Sequence, residues 1–119
     1  MLRTLLIAVS GLLLIAPLCG TSTTVTFTYS NQDVGPVTFS SRMGTTGLWL
    51  DTDILVPADS SMTTAPHAVG RDYWFSCLVK DAQSLTLDSV VIAGYQWKAG
   101  SSVNWTWDGT ELTPYVFIP

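Results

Sequence analysis

Histidine is the usual general base of hydrolytic triads, and the 119-residue chain contains one histidine, His67. The residues around it include no serine flanked by glycines in the pattern of a nucleophile elbow. Two carboxylates can hydrolyse a glycosidic bond without histidine, but the spacing of the nine acidic residues singles out no pair. We therefore expect no catalytic residue and no enzymatic activity. The alternative, a small secreted enzyme, would need His67 or a carboxylate pair in a concave site.

Metal ligands are equally sparse. One histidine and two cysteines cannot supply a zinc or blue-copper site. Calcium takes about six to eight oxygen ligands, and the only local acidic group is Asp51 and Asp53 with Asp59 nearby. Strand geometry would place Asp51 and Asp53 on the same side, where a loop could bring Asp59 to them. No calcium-loop motif surrounds them, so we expect a solvated strand end, no metal and no cofactor, with calcium as the alternative.

The tryptophans are the most informative candidates for ligand binding. Trp105 and Trp107 would share one strand face about 6.8 Å apart, and Trp97 precedes them. A flat row of indoles can stack against sugar rings. The competing interpretation is that this face is the core, because a domain this small needs large side chains to build one.

Two further tryptophans stand in the polar register of their predicted strands. Trp49 would share its side with Asp51, and Trp74 would share its side with Ser76 and Lys80. We expect at least one of these two indoles to be exposed and to contact a ligand. The full set of candidate ligand-binding residues is Trp49, Trp74, Trp97, Trp105 and Trp107.

The composition excludes several classes of protein. Five lysines and arginines and a formal charge of −4 are unsuited to binding nucleic acid, which requires clustered cations. Hydrophobic residues make up 47% of the chain and charged residues only 12%, which excludes wholesale disorder. One long apolar segment excludes a membrane protein with several spans.

That apolar segment predicts a secretory signal peptide over residues 1–20. Arg3 precedes an apolar run that ends near Pro17, and the run is shorter than the ~20 residues of a membrane span. An uncleaved anchor is the alternative, as is a lipoprotein signal with lipid on Cys19, although Leu18 is larger than the residue such signals place there. We expect a protein that is secreted, periplasmic or held at the cell envelope, with no membrane span in its mature form.

The second cysteine, Cys77, lies in an apolar stretch that predicts a core strand. We therefore expect it to be buried as a small apolar residue. The alternatives are an intermolecular disulfide, a reactive thiol, or a disulfide with Cys19 if that residue stays on the mature chain. In each case the domain must be held together by apolar packing.

Alternation with a period of two runs through residues 21–119 and predicts a single all-β domain. Val25, Phe27 and Tyr29 alternate with threonines, and residues 73–79 are apolar on both faces, which indicates a central strand. Residues 99–101 and 108–110 are typical of hairpin turns. About seven or eight short strands with regular turns predict a small antiparallel β-sandwich, whose architecture resembles immunoglobulin-like domains.

These observations favour an exported, non-enzymatic module that acts as a structural or protein-interaction domain. The partner would be an unidentified protein that contacts an aromatic patch or a strand edge, and the threonine face of the first strand is one such edge. The alternative is a carbohydrate-binding module that holds a polysaccharide on Trp49, Trp97, Trp105 and Trp107.

Overall fold

The computed structural model describes residues 23–70, 72–93 and 95–119, and within these ranges the chain is all β. The predicted signal peptide and Cys19 lie outside the described residues. Across the described ranges, no helix has the length and apolarity needed to cross a membrane. The strands are β1 (Thr23–Asn31), β2 (Val37–Met43), β3 (Trp49–Val56), β4 (Ser60–Thr63), β5 (His67–Val69), β6 (Phe75–Lys80), β7 (Thr86–Ile92), β8 (Ser101–Trp107) and β9 (Leu112–Phe117).

The strands form two sheets, as a small β-sandwich requires. The first sheet has the order β9-β8-β1, and β4 and β5 pair with successive halves of the remaining edge of β1. The second sheet has the order β3-β2-β6-β7. The described strand pairs are antiparallel except for β1 and β8, which run parallel, so the prediction of a purely antiparallel sandwich is wrong at that pair.

The alternating pattern of β1 gives it one buried face, as predicted. Val25, Phe27 and Tyr29 have no solvent exposure, and the threonines between them point to the other side of the sheet. Because β1 lies between β8 and the β4–β5 edge, its threonine face is not a free strand edge, which corrects that expectation. The Thr28 hydroxyl instead bonds to the Thr63 hydroxyl across the sheet at 2.9 Å.

Aromatic rings from both sheets fill the space between them. The Phe27 ring contacts Phe75 at 5.1 Å and Trp105 at 5.6 Å between centroids, with both pairs edge-to-face. Phe75 begins β6, which pairs with β2 and β7 and is central, as the apolar pattern of residues 73–79 predicted. Phe27 therefore joins the two sheets at the centre of the core.

Strand β3 contains two residues more than the segment of β2 that it pairs with. The pairing shifts between Phe39 and Ser41, and again between Ser41 and Arg42, so β3 bulges twice. Each bulge interrupts the alternation of side chains. Trp49 consequently points to solvent while Asp51 points inward, and Asp53 is exposed again. The prediction that these three side chains share one side of the strand is wrong for this reason.

The predicted hairpin at residues 108–110 connects β8 to β9 and is confirmed. Asp108 Oδ1 accepts the backbone N–H groups of Thr110 and Glu111 at 2.7 and 2.8 Å, which holds the pKa of its carboxyl below the ordinary value. Gly109 supplies the positive φ of 94° that the turn requires. Residues 99–101 are not a hairpin, because residues 95–98 are not a strand and β7 belongs to the other sheet.

Phe27→Ala should lower the free energy of unfolding by about 3–5 kcal/mol, because it leaves a cavity against rings from both sheets. Tyr115, which is 61% exposed on β9, is the matched control, and Tyr115→Ala should change stability by less than about 0.5 kcal/mol. Urea unfolding of both variants measures the difference. Equal losses would contradict the central position of Phe27.

Candidate functional site

A buried carboxylate lies between the two sheets. Asp51 on β3 is 9% exposed, and its Oδ2 accepts from the Tyr29 hydroxyl at 2.5 Å and the Thr64 hydroxyl at 2.9 Å. The His67 Nε2 lies 3.1 Å from the same oxygen. A buried carboxylate is costly to desolvate, and these three donors offset that cost. We call Asp51, Tyr29, Ser41, Thr64 and His67 the Asp51 network.

Tyr29, on β1, connects the first sheet to Asp51 and Ser41 of the second sheet. Since its hydroxyl hydrogen points to Asp51, the contact with Ser41 at 2.5 Å must have the Ser41 hydroxyl as donor. Burial and the hydrogen bond to Asp51 raise the pKa of the Tyr29 phenol well above its ordinary value. The network therefore holds a neutral phenol in the core.

The Asp51 network does not have the connectivity of a hydrolytic triad. In a triad the imidazole lies between the carboxylate and the nucleophile, whereas here Asp51 lies between His67 and the hydroxyl groups. The His67 ring packs on the Phe27 ring at 5.4 Å, and its side chain is only 17% exposed. The arrangement joins strands, and the hydrogen bond described for the His67 imidazole goes to Asp51.

The predicted calcium alternative does not assemble. Asp51 is bound within its network, and Asp53 holds Ser40 through its own N–H, with the Ser40 Oγ as acceptor at 2.8 Å. Within the described ranges, no group of three histidine, cysteine or acidic side chains is placed to hold a metal ion. The bulge between Asp51 and Asp53 is the physical reason, because it turns the two carboxylates apart.

Three of the five candidate tryptophans belong to the core. Trp97, Trp105 and Trp107 are exposed by only 2%, 0% and 4%, so none of them can present a ring face to a sugar. The Trp97 indole N–H donates to the Tyr73 carbonyl at 2.7 Å, and that of Trp107 donates to Asp33 Oδ2 at 3.2 Å. The predicted sugar-stacking row on these residues is therefore wrong, and the competing core interpretation is confirmed.

The other two candidates, Trp49 and Trp74, are exposed by 42% and 52%. Trp74 lines an open groove of about 500 Å³ at one end of the second sheet, which we call the Trp74 groove. Tyr73 and Leu48, exposed by 46% and 73%, are the other large side chains there with Met43. The groove is lined by Met43, Gly44, Thr45, Thr46, Gly47, Leu48, Asp72, Tyr73 and Trp74.

Trp49 lies on the outer face of the second sheet. The Arg42 guanidinium lies over its indole, with Cζ 4.5 Å from the ring centroid. The strand register places Trp49, Arg42, Ser76 and Val91 in one row across β3, β2, β6 and β7. This row borders a cavity of about 210 Å³, which we call the Arg42 pocket. Thr45 lines both the Arg42 pocket and the Trp74 groove.

Cys77 is buried on β6 with 2% exposure, which confirms the expectation of an apolar core position. Desolvation, and the nearby charge of Asp51, raise the pKa of its thiol well above the ordinary value. A thiol of this kind holds little thiolate near neutral pH, so the alternative of a reactive cysteine is not supported. The alternative of a disulfide with Cys19 involves a residue outside the described ranges.

Arg42 and the turn at residues 43–48, which line the Arg42 pocket and the Trp74 groove, were not singled out by the sequence analysis. Arg42 lies beside Trp49 only because β2 and β3 pair across the second bulge, and no local pattern encodes that register. Gly44 and Gly47 lie in the turn that forms one wall of the Trp74 groove.

The chain matches no protein-family model, and no curated protein or solved structure is significantly similar to it.

Tyr29→Phe should lower the free energy of unfolding by about 1–3 kcal/mol near neutral pH, because Asp51 loses a donor. The folded-state pKa of Tyr29 is raised above 10.0, so its contribution is present below that pH and is lost as pH rises beyond it. Unfolding by urea between pH 8 and pH 11 should show a shallower alkaline loss in Tyr29→Phe than in the wild type.

Tyr115→Phe is the control, because Tyr115 is exposed and should keep the alkaline slope of the wild type. An unchanged slope in Tyr29→Phe would contradict the role assigned to the buried phenol.

Proposed function

We propose that the chain is an exported, non-enzymatic binding module that uses the Trp74 groove to bind a protein partner. Its two sheets, of five and four strands, are compatible with the immunoglobulin-like general architecture that the proposal includes. The observation that carries the proposal is the cluster of exposed apolar side chains around one groove. Trp74, Tyr73 and Leu48 are each more than 40% exposed, with Met43 between them.

Aromatic residues of this kind carry a large share of protein-binding energy. Tryptophan and tyrosine are enriched at interface centres, where they bury a large area and keep one polar group for a hydrogen bond. Exposed large apolar side chains that form one cluster commonly mark an interaction site, whereas scattered ones do not. Among the described residues that line the same surface, the charged one is Asp72. The partner chemistry that fits is an apolar side chain next to a basic group.

Backbone hydrogen bonds hold the turn that forms the groove wall. The Gly44 N–H donates to the Trp74 carbonyl at 2.7 Å, and the Ser76 hydroxyl donates to the Gly44 carbonyl at 2.6 Å. A Cβ on Gly47 would lie 2.2 Å from the Met43 carbonyl oxygen, so only glycine fits at position 47 of this turn. A wall fixed in this way loses little conformational entropy when a partner binds.

A second candidate function is carbohydrate binding, now restricted to the outer face of the second sheet. The observation that favours it is the Arg42 pocket, where the exposed Trp49 ring stands near the hydroxyls of Thr45, Ser76 and Ser89. Sugars are bound by such combinations of an aromatic ring with groups that form hydrogen bonds. The other predicted tryptophans do not support this function, since three of them are buried.

Photo-crosslinking tests the protein-binding proposal. Benzoylphenylalanine replaces Trp74 in the full-length chain, expressed in its native cells, and is irradiated there. We expect one discrete crosslinked protein, because a specific partner would place the same side chain over the groove in each complex. Replacement of Tyr115, which is more exposed than Trp74, is the matched control and should give no discrete product.

A second change in the crosslinking chain tests whether the product is specific. Leu48→Ala there should weaken the product, since the change removes part of the apolar cluster. The same product from position 115, or no product at either position, would contradict the proposal.

A further inference from the structure

Arg42 is a cation whose guanidinium has no carboxylate partner among the described residues. The one ion pair there joins His67 to Asp51, and no described hydrogen bond uses the Arg42 side chain. Its guanidinium instead lies over Trp49 in a cation–π contact, with Cζ 4.5 Å from the ring centroid. Among the described residues its N–H groups have no hydrogen-bond partner, so they can donate to a ligand.

The charge around Arg42 favours an anion. The residues that line the Arg42 pocket include no acidic side chain, in a chain whose formal charge is −4. A carboxylate lies at its margin, because Asp53 Oδ1 is 3.5 Å from the hydroxyl of the lining residue Ser40. A planar guanidinium with free N–H groups binds a carboxylate by two parallel hydrogen bonds, which an ammonium group cannot reproduce.

The remaining lining groups indicate which carboxylate. Thr45 and Ser89 have hydroxyls without a described hydrogen bond, and Val91 is 47% exposed beside them. The cavity of about 210 Å³ lies on the outer face of the second sheet. Hydroxyl groups, an apolar side chain and an indole edge around one cation match a sugar ring that carries a carboxylate.

We propose that the Arg42 pocket binds a uronic acid unit of an acidic polysaccharide. The uronate carboxylate pairs with the Arg42 guanidinium, and the ring hydroxyls bond to Thr45 and Ser89 beside Trp49. This inference rests on the carbohydrate-binding candidate above and names its ligand class. It does not depend on the Trp74 groove having a protein partner.

The inference is tested by titrating the full-length protein with oligogalacturonate. Calorimetry and tryptophan emission measure the binding. Neutral xylo-oligosaccharides, a sulfated oligosaccharide and a glutamate-rich peptide are the comparison ligands. We expect oligogalacturonate to bind most tightly, and to weaken as salt is raised, because the contact is an ion pair at an exposed surface.

Variants at Arg42 give the decisive comparison. Arg42→Gln should weaken oligogalacturonate binding at least about tenfold, and Arg42→Lys should weaken it less, because it keeps the charge but loses the planar donor pair. Lys98→Gln removes one positive charge from an exposed position before β8 and is the matched control, so it should leave affinity unchanged. Circular dichroism of each variant confirms that the fold is kept.

The other outcomes separate the uronate assignment from the broader carbohydrate-binding candidate. Neutral sugars that bind as tightly as oligogalacturonate, with no effect of Arg42→Gln, would overturn the uronate assignment and leave carbohydrate binding in place. Equal binding of the sulfated sugar would reduce the site to a general anion site. Binding of the peptide alone would show that Arg42 contacts a peptide and would overturn the uronate assignment. No binding of any sugar would overturn both the uronate assignment and the carbohydrate-binding candidate.

Discussion

The carboxylate of Asp51 is the constraint around which both sheets are arranged. It is a charged group in the space between the sheets, so its donors must lie close, and they come from separate parts of the chain. Tyr29 brings β1 to it, and Thr64 and His67 bring the segment that joins β4 to β5. Those contacts fix where the divided edge of the first sheet lies relative to β3. Apolar packing could have allowed these segments to slide, whereas hydrogen bonds to one oxygen do not.

The same constraint sets the outer surface. To turn Asp51 inward, β3 carries a bulge on each side of it, and these bulges turn Trp49 and Asp53 outward. Trp49 thereby meets Arg42 on the neighbouring strand, and their stack becomes one wall of the Arg42 pocket. The buried network and the exposed pocket are thus two faces of one irregular strand. In a regular strand, residues 49 and 51 would lie on the same face. A regular β3 with the observed pairing could therefore not bury Asp51 and expose Trp49 together.

The sequence predicted what depends on local alternation and missed what depends on register. The buried face of β1, the central position of β6, the hairpin at residues 108–110 and the burial of Cys77 all follow from patterns of a few residues. The parallel pairing of β1 with β8 joins segments far apart in the chain, and nothing local encodes it. The bulges in β3 are single inserted residues, which a period of two cannot reveal. For that reason the side of Asp51 was predicted wrongly and the network around it was not foreseen.

Three of the five tryptophans are buried, so the exposure of Trp49 and Trp74 needs an explanation of its own. A domain of this size has few residues with which to fill the space between two sheets, and large aromatic side chains fill it efficiently. Trp97, Trp105 and Trp107 have that role, and two of them direct their N–H groups to fixed acceptors. Trp49 and Trp74 contribute little to that core. They expose apolar area to water in the Arg42 pocket and the Trp74 groove, two neighbouring sites that share the lining residue Thr45. Packing between the sheets therefore accounts for three of the five indoles, and the other two make their contacts outside the core, where Trp49 lies under the Arg42 guanidinium and Trp74 lines its groove.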